Sequence, residues 1–356
     1  MCTGLIPNGR PAKWSFGARP QEGFFGVDRE TILGVDDDRP PGRVLREAGL
    51  KILPGVIRPR EGRAWLISWQ GTRGVLRQLP VPQDCMSLAR VGEDVTWLHA
   101  YLARLAGLGF PSPRPLPAFD GKSWTTAGGA LWEITSFLPG WAVGWADEPP
   151  MEEIGALLGR YHATASQMEV ASQRPGALPL AEVPGILLSS QLQAAGVGLE
   201  RAAILRQHAD QLAHDLNDTA HLRRARLVIH GDFTNHNVIA DGTPSRATGV
   251  IDFALAHAET PLADIGYGLW RSGRPRQEAD HLNSPRVKCF LRGYASTVSV
   301  SADEAPIIPL YMRGRGLQMI AKRIRAGRAE TGMLAQVQWL TAHSGALTDE
   351  VLAALS

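Results

Sequence analysis

The sequence predicts an α+β protein in two lobes, a small antiparallel sheet first and a larger, mainly helical part after it. Two patterns carry this expectation. Between residues 51 and 79, three short runs rich in β-branched and aromatic residues are separated by turn chemistry. Beyond residue 139, apolar residues recur mostly at helical spacing. At 356 residues with 44% hydrophobic side chains, the chain is long enough for two packed cores.

The elements follow in order. Residues 1 to about 40 are rich in Gly, Pro, Arg and Asp with little periodicity, so residues 1–42 read as an N-terminal extension that wraps the small lobe or is partly mobile. Arg43 to Gly49 predicts a short helix with Gly49 as its stop signal. Lys51 to Ile57, Arg63 to Trp69 and Gly74 to Leu79 predict strands, with Gln70-Gly71-Thr72-Arg73 as the turn between the last two. From Ser87 to Leu108, Val91, Val95, Leu98, Leu102 and Leu105 repeat at helical spacing, and Gly107, Gly109 and Pro111 end the run. Leu131 to Leu138 is a further strand. Pro139-Gly140 closes it and reads as the connector between a small lobe at 43–138 and a large lobe at 139–356. Helices are expected at Met151–Met168, about Leu187–Leu216, Pro261–Trp270, Arg286–Ser296, Asp303–Arg328 and Leu334–His343.

Composition excludes some classes of function. Lys and Arg total 37 against 35 Asp and Glu, a balance that gives no basic surface for nucleic acid or membrane. No run of about 18 apolar residues occurs, and the N-terminus has no signal-like apolar core, so a soluble, cytoplasmic protein is expected. The three cysteines, Cys2, Cys85 and Cys289, have no CxxC spacing, which suggests neither a disulfide framework nor a zinc site and fits a reducing compartment.

The chemistry is concentrated in His230-Gly231-Asp232-Phe233-Thr234-Asn235-His236-Asn237, followed one strand later by Ile251-Asp252-Phe253. A loop leaving Leu227-Val228-Ile229 holds Asp232 at its tip and returns Asn237 at the start of Val238-Ile239-Ala240. Gly242 and Pro244 then turn the chain, and Thr248 to Ile251 is the antiparallel partner that delivers Asp252 beside Asn237. One carboxylate to orient a hydroxyl proton and two hard oxygen ligands for magnesium are what phosphoryl transfer from a nucleoside triphosphate needs. Asp232 is the candidate catalytic residue, and Asn237 and Asp252 are the candidate metal ligands.

This block, from Val228 to Trp270, resembles the aminoglycoside phosphotransferase family, the kinase-like group that includes homoserine and choline kinases. The similarity is sharp there and extends faintly over residues 45 to 345. Gly231 stands where protein kinases carry Arg, and Pro261 to Tyr267 resembles the family's stretch after the metal-binding Asp. The resemblance implies a bilobal protein-kinase-like fold, ATP (or GTP) and Mg as cofactors, and a small-molecule hydroxyl as acceptor. It also places a phosphate-gripping cation on the third strand at Arg77, paired with an acid of the following helix, Glu93 first and Asp94 next. Adenine would meet the connector at the Ser136 carbonyl and the Leu138 amide, between walls formed by Leu53, Val75 and Ile251. Gly62 is the one glycine of the phosphate-covering loop, a departure from the family that keeps a catalytically weak nucleotide-binding protein as an alternative. His230 and Asp264 are expected to support the catalytic loop. The acceptor stays open between an antibiotic and a metabolite such as homoserine; Trp141 and Trp145, just after the connector, read as lobe packing or as a surface on which a sugar or planar ring could stack. The basic side chains Arg313, Arg315, Arg323, Arg325 and Arg328 read first as a solvated helix face; as a basic wall of the site they would favour a neutral or carboxylate-bearing molecule.

Overall fold

The computed structural model describes residues 42–53, 63–79, 88–144, 149–169, 174, 177–217, 225–242, 246–275, 281–328 and 332–355. Gly62, Trp145 and the extension up to residue 41 lie outside the described residues.

The small lobe opens with α1 (Gly42–Glu47) and a five-stranded antiparallel sheet in the order β1-β2-β3-β5-β4, formed by β1 (Lys51–Ile52), β2 (Arg63–Trp69), β3 (Thr72–Leu79), β4 (Trp124–Ala127) and β5 (Ala130–Ser136). The β2–β3 turn is tighter than the sequence predicts. Gln70 and Gly71 both take positive φ, 49° and 78°, and Trp69 pairs with Thr72, the two-residue hairpin whose twist matches that of its strands. Between β3 and β4 runs α2 (Leu88–Gly107). Its end is a Schellman cap, with Phe110 N donating to Leu105 O at 3.2 Å, Gly109 N to Ala106 O at 3.0 Å, and Gly109 at φ +84°. One half of α2 packs Val91 and Val95 on Leu131 of β5. The other half sends Leu98, Tyr101, Leu102 and Leu105 into the core of the large lobe, so α2 ties the two lobes together.

After the connector the chain forms β6 (Trp141–Ala142), α3 (Met151–Ala165), α4 (Val183–Leu188), α5 (Gln191–Ala194) and α6 (Leu199–Leu216). The single helix expected over 187–216 is thus three. Ser189 leaves the helical region with ψ 173°, and Gly196 at φ +74° and Gly198 in extended conformation separate the pieces. Next come β7 (Leu227–Ile229), β8 (Val238–Asp241), β9 (Arg246–Val250) and β10 (His257–Glu259). They build a β6-β8-β9 sheet and a β10-β7 pair. The chain ends with α7 (Pro261–Ser272), α8 (Ser284–Ala295), α9 (Ile307–Arg325), α10 (Met333–Ala342) and α11 (Ser344–Leu355), the last of which the apolar pattern did not announce.

Helix packing sets the position of the site. Helices α3 and α8 touch through glycines: a Cβ on Gly155 would lie 1.9 Å from Phe290 O, and one on Gly293 would lie 1.9 Å from Glu152 O. That approach brings Tyr294 Oη to within 2.9 Å of His162 Nδ1. Among the described residues, no helix is long and apolar enough to cross a membrane. One finding departs from the cysteine expectation: Cys289 is disulfide-bonded, and the other two cysteines lie outside the described residues.

Candidate active site

The two halves of the motif meet because their flanking strands pair twice. β7 enters the first loop and pairs with β10, which leaves the second. β8 leaves the first loop and pairs with β9, which enters the second, with Val238 opposite Val250. Asn237 and Ile251 therefore face each other, Ile251 N donating to Asn237 O at 2.8 Å, and Asp252 follows directly. His230 ties the loops a second time. Its Nε2–H donates to Ile251 O at 2.9 Å, and its Nδ1 accepts from Asp232 N at 3.2 Å, a pattern that requires the neutral ring with its proton on Nε2.

Asp264 is fully buried in the first turn of α7, where a carboxylate suits the helix dipole. It accepts His230 N at 2.7 Å on Oδ2, Gly231 N at 2.8 Å on Oδ1, and His162 Nε2 at 3.2 Å on Oδ2. Burial by itself would raise its pKa. The His162 ring and the His230 amide outweigh burial and hold the carboxyl below its ordinary value. Gly231 has φ +73°, and a Cβ there would lie 2.2 Å from Leu255 O. An arginine has no room in this turn.

At the loop tip Asp232 is largely buried. Asn237 Nδ2 donates to Asp232 O at 2.9 Å and to Oδ2 at 3.2 Å, which leaves the amide oxygen of Asn237 for a cation. Arg315 of α9 approaches the other carboxylate oxygen, with Nη2 3.8 Å from Oδ1. Asp252 occupies the left-handed region at φ 61°, ψ 62°, a conformation that costs about 1 kcal/mol for a non-glycine residue. Its Oδ1 accepts from Arg77 Nη1 at 3.3 Å. Among the described residues, no three His, Cys, Asp or Glu side chains cluster as a metal site. One carboxylate and one amide oxygen still fit a hard cation whose remaining ligands are phosphate oxygens and water.

The acid paired with Arg77 is Glu133, and not Glu93. Arg77 lies opposite Glu133 in the β3–β5 register, and its Nε is 2.9 Å from Glu133 Oε1. Glu133 Oε2 is 2.9 Å from His99 Nε2, whose Nδ1 is 2.6 Å from Ser123 Oγ. Burial would raise the Glu133 pKa, but the Arg77 guanidinium and the His99 ring hold it down to about 2. Burial also disfavours the Arg77 charge, and the two carboxylates reverse this so that its pKa is raised. Because Val91 and Val95 face the core, Glu93 points to solvent and Asp94 turns inward.

Asp94 pairs instead with Arg174, a residue that no motif or periodicity singles out. Arg174 grips Asp94 with two nitrogens, Nε to Oδ1 at 2.7 Å and Nη2 to Oδ2. Its Nη1 meets the carbonyls of Phe253, Ala254 and Ala256 at 3.2, 2.8 and 3.3 Å. A bidentate pair of this kind is strong and directional. Here it fastens α2 to the segment that follows Asp252. Glu133 did carry a readable signal, an acid on the inner face of an otherwise apolar strand.

In the connector, Ser136 N donates to Arg114 O at 2.7 Å and Ser136 Oγ accepts from Arg114 N at 2.9 Å. The Leu138 side chain packs at Gly249 of β9, and Leu53, Val75 and Ile251 are half-buried. Gly140, at φ +120°, passes so close to β8 that a Cβ would lie 2.4 Å from Ala240 O. Trp141 beyond it is 44% exposed.

A bilobal, protein-kinase-like phosphotransferase is the class this fold defines. The sequence profile of the phosphotransferase enzyme family (APH) matches residues 60–295, and the chain belongs to that family as a small-molecule kinase. It is 28% identical over 260 residues to a homoserine kinase of Sinorhizobium medicae, covering 72% of each chain. Its fold is that of a microcompartment-associated aminopropanol kinase (TM-score 0.60, 18% identity, 85% of this chain and 93% of the other). It is equally that of the amicoumacin kinase hAmiN, solved with AMP-PNP and Ca2+ (TM-score 0.58, 16% identity, 90% and 96%).

Proposed function

We propose that this kinase transfers the γ-phosphoryl group of ATP (or GTP) to a hydroxyl of a small molecule, with Asp232 as the base. The observation that carries this reading is the side-by-side placement of Asp232 and Asn237, in hydrogen-bond contact at 3.2 Å, next to an Asp252 already engaged by Arg77. The acceptor hydroxyl faces Asp232, which takes its proton as the new O–P bond forms. The bond from phosphorus to the β,γ-bridging oxygen breaks, and the nucleoside diphosphate leaves. Asp232 then returns the proton to solvent. Because the transition state of such transfers is loose, positioning and charge matter more than the strength of the base.

Asn237, through its amide oxygen, and Asp252 would hold a divalent cation, Mg in our reading, which when bound neutralises phosphate charge. Arg77 supplies fixed positive charge from the other wall, and a guanidinium suits phosphate geometry. Ser136 and Leu138 of the connector offer main-chain groups to the base. The acceptor is an antibiotic or a metabolite, and the similarity to a homoserine kinase favours a hydroxylated metabolite of that kind.

An ATP-consumption screen over hydroxylated antibiotics and amino alcohols, with mass detection of the phosphorylated product, tests the reading. Asp232→Ala should lower kcat by about 10²- to 10⁴-fold, the span for a lost general base, with nucleotide affinity nearly intact. Asp252→Ala should weaken metal-nucleotide binding as well. Undiminished turnover in either variant would refute the assignment.

A further inference from the structure

We infer that Arg315 recognises a carboxylate on the acceptor, so that the site selects hydroxylated acids and amino acids over amino alcohols and polycationic sugars. This rests on the phosphotransferase reading and narrows its substrate class.

The basic residues of α9 and just beyond it have separate fates in the structure. Arg313 is paired with Asp215, and Arg323, Arg325 and Arg328 are exposed. Arg315 alone of the five turns inward to Asp232. Only 7% of its surface is exposed, and Nε and Nη2 are buried without a hydrogen-bond partner among the described residues. Its Nη1 donates to Gln318 Oε1, and Gln318 Nε2 is itself fixed on Leu178 O at 2.5 Å. The guanidinium carbon stands 4.8 Å from the centre of the Tyr267 ring. Helices α7 and α9 approach closely there, a Cβ on Gly266 lying 2.8 Å from Ile308 O. The group is therefore held in place while two of its donors remain unused, and a buried charged donor left without an acceptor is costly.

Asp232 does not fill that need, since 3.8 Å is too long for a hydrogen bond. Two turns along the same face of α9, half-buried Lys322 adds a second cation. Burial first, and then repulsion from Arg315 and Arg174, brings its ammonium pKa down to about 7, with Asp232 acting the other way. What Nε and Nη2 lack among the described residues is an acceptor within hydrogen-bond distance.

The nucleotide's phosphates are one candidate, but they belong to the other side. Asn237 engages Oδ2 of Asp232 and leads to Asp252 and Arg77, whereas Arg315 addresses Oδ1. A carboxylate on the molecule whose hydroxyl faces Asp232 meets Arg315 from the acceptor side. The planar guanidinium matches it in shape as well as charge.

L-homoserine and 3-aminopropan-1-ol test this directly, because they differ only in the carboxylate. Wild-type enzyme should favour the former in kcat/KM by about 100-fold or more, in line with the cost of an unpaired site donor. In Arg315→Met that ratio should collapse to below about 5-fold, mostly through KM, with the nucleotide Kd unchanged. Arg315→Lys, which keeps the charge and loses the fork, should fall between, and it guards against a misfolded Met variant. Equal losses on both acceptors, a weakened nucleotide Kd, or a wild type that prefers 3-aminopropan-1-ol or an aminoglycoside would overturn the inference. Calorimetric binding of L-homoserine in the presence of AMP-PNP reads Arg315 without turnover. Binding that depends on Arg315 in an enzyme that transfers no phosphoryl group would sink the catalytic reading and leave this one standing.

Discussion

Asp232 and Arg77 lie on the two sides of the candidate site, Arg77 in contact with Asp252 and Asp232 with Asn237, and are held in opposite ways. The loop of Asp232 is fixed by short bonds that mostly involve backbone: two amides on Asp264, a neutral His230 bridging to Ile251 O, and the Asn237 amide. Arg77 is fixed by charge, with Glu133 and Asp252 on either side and His99 behind Glu133. Position on the first wall comes from a saturated backbone cage organised by one buried carboxylate. Position on the second comes from mutual attraction of partly desolvated ions, which is lost as a unit when one member is removed. Asp232 thus sits on the stiffer side, and the ion cluster around Arg77 is the side that added charge can reorganise.

The sharpest way to break this contrast is Asp264→Ala. It removes the shared acceptor of two loop amides and of His162 Nε2 in a buried site, and should cost about 3–5 kcal/mol, the range for breaking a buried charged partnership. Chemical denaturation reads the loss; a change under about 1 kcal/mol would mean the cage stands without its organiser. Next in size is Arg174→Met, which removes the bidentate partner of buried Asp94 and leaves three carbonyls uncapped, for a loss of about 3 kcal/mol. Combining it with Asp94→Leu removes the buried charge as well and should restore much of the stability. If the clamp positions Asp252, the double variant keeps a kcat about 10-fold low. Full recovery of turnover would reduce the clamp to scaffolding.

The smallest expected effect concerns pH. His257 donates through Nδ1 to Leu255 O at 2.8 Å. Burial lowers its pKa, the Leu255 carbonyl opposes, and the charges of Arg315 and Lys322 lower it further, to about 4, with Asp264 acting the other way. In the unfolded chain the ring takes its proton near pH 6.5. The unfolded state therefore binds the extra proton first. Stability contributed by His257 is full above about pH 6.5 and falls away as pH drops toward 4, by about 1 kcal/mol per unit. The Tm slope between pH 7 and 5 should flatten in His257→Gln. Glu133 acts lower: its contribution is full above about pH 4.3 and is lost as pH falls toward 2, so acid should unlock the Arg77 wall after it has weakened the support beneath the loop.

Much of the site was legible because it is local. Asp232 and Asn237 lie five residues apart, and the β8–β9 hairpin that brings Asp252 beside them is written in two apolar runs around a glycine turn. Gly231 is legible too once its φ of +73° and the Leu255 carbonyl 2.2 Å from any Cβ are known, since they explain why a glycine follows His230. Partner choice was harder to read. A helix repeat shows that some residues near 93 face inward but leaves the phase uncertain by one position, and that one position separates Glu93 in solvent from Asp94 on Arg174.

By itself the sequence determined the two-lobed α+β plan, the loop from His230 to Asn237 and the hairpin after it, because backbone propensity, turn chemistry and apolar period act over a few residues. Tertiary structure alone decided which charges meet. Arg77 with Glu133, Asp94 with Arg174, and Arg315 beside Asp232 join residues 56 to 83 positions apart in the chain. Such pairings depend on strand register and helix rotation, which are set when whole elements pack and bury their surfaces, and no short stretch of sequence encodes them.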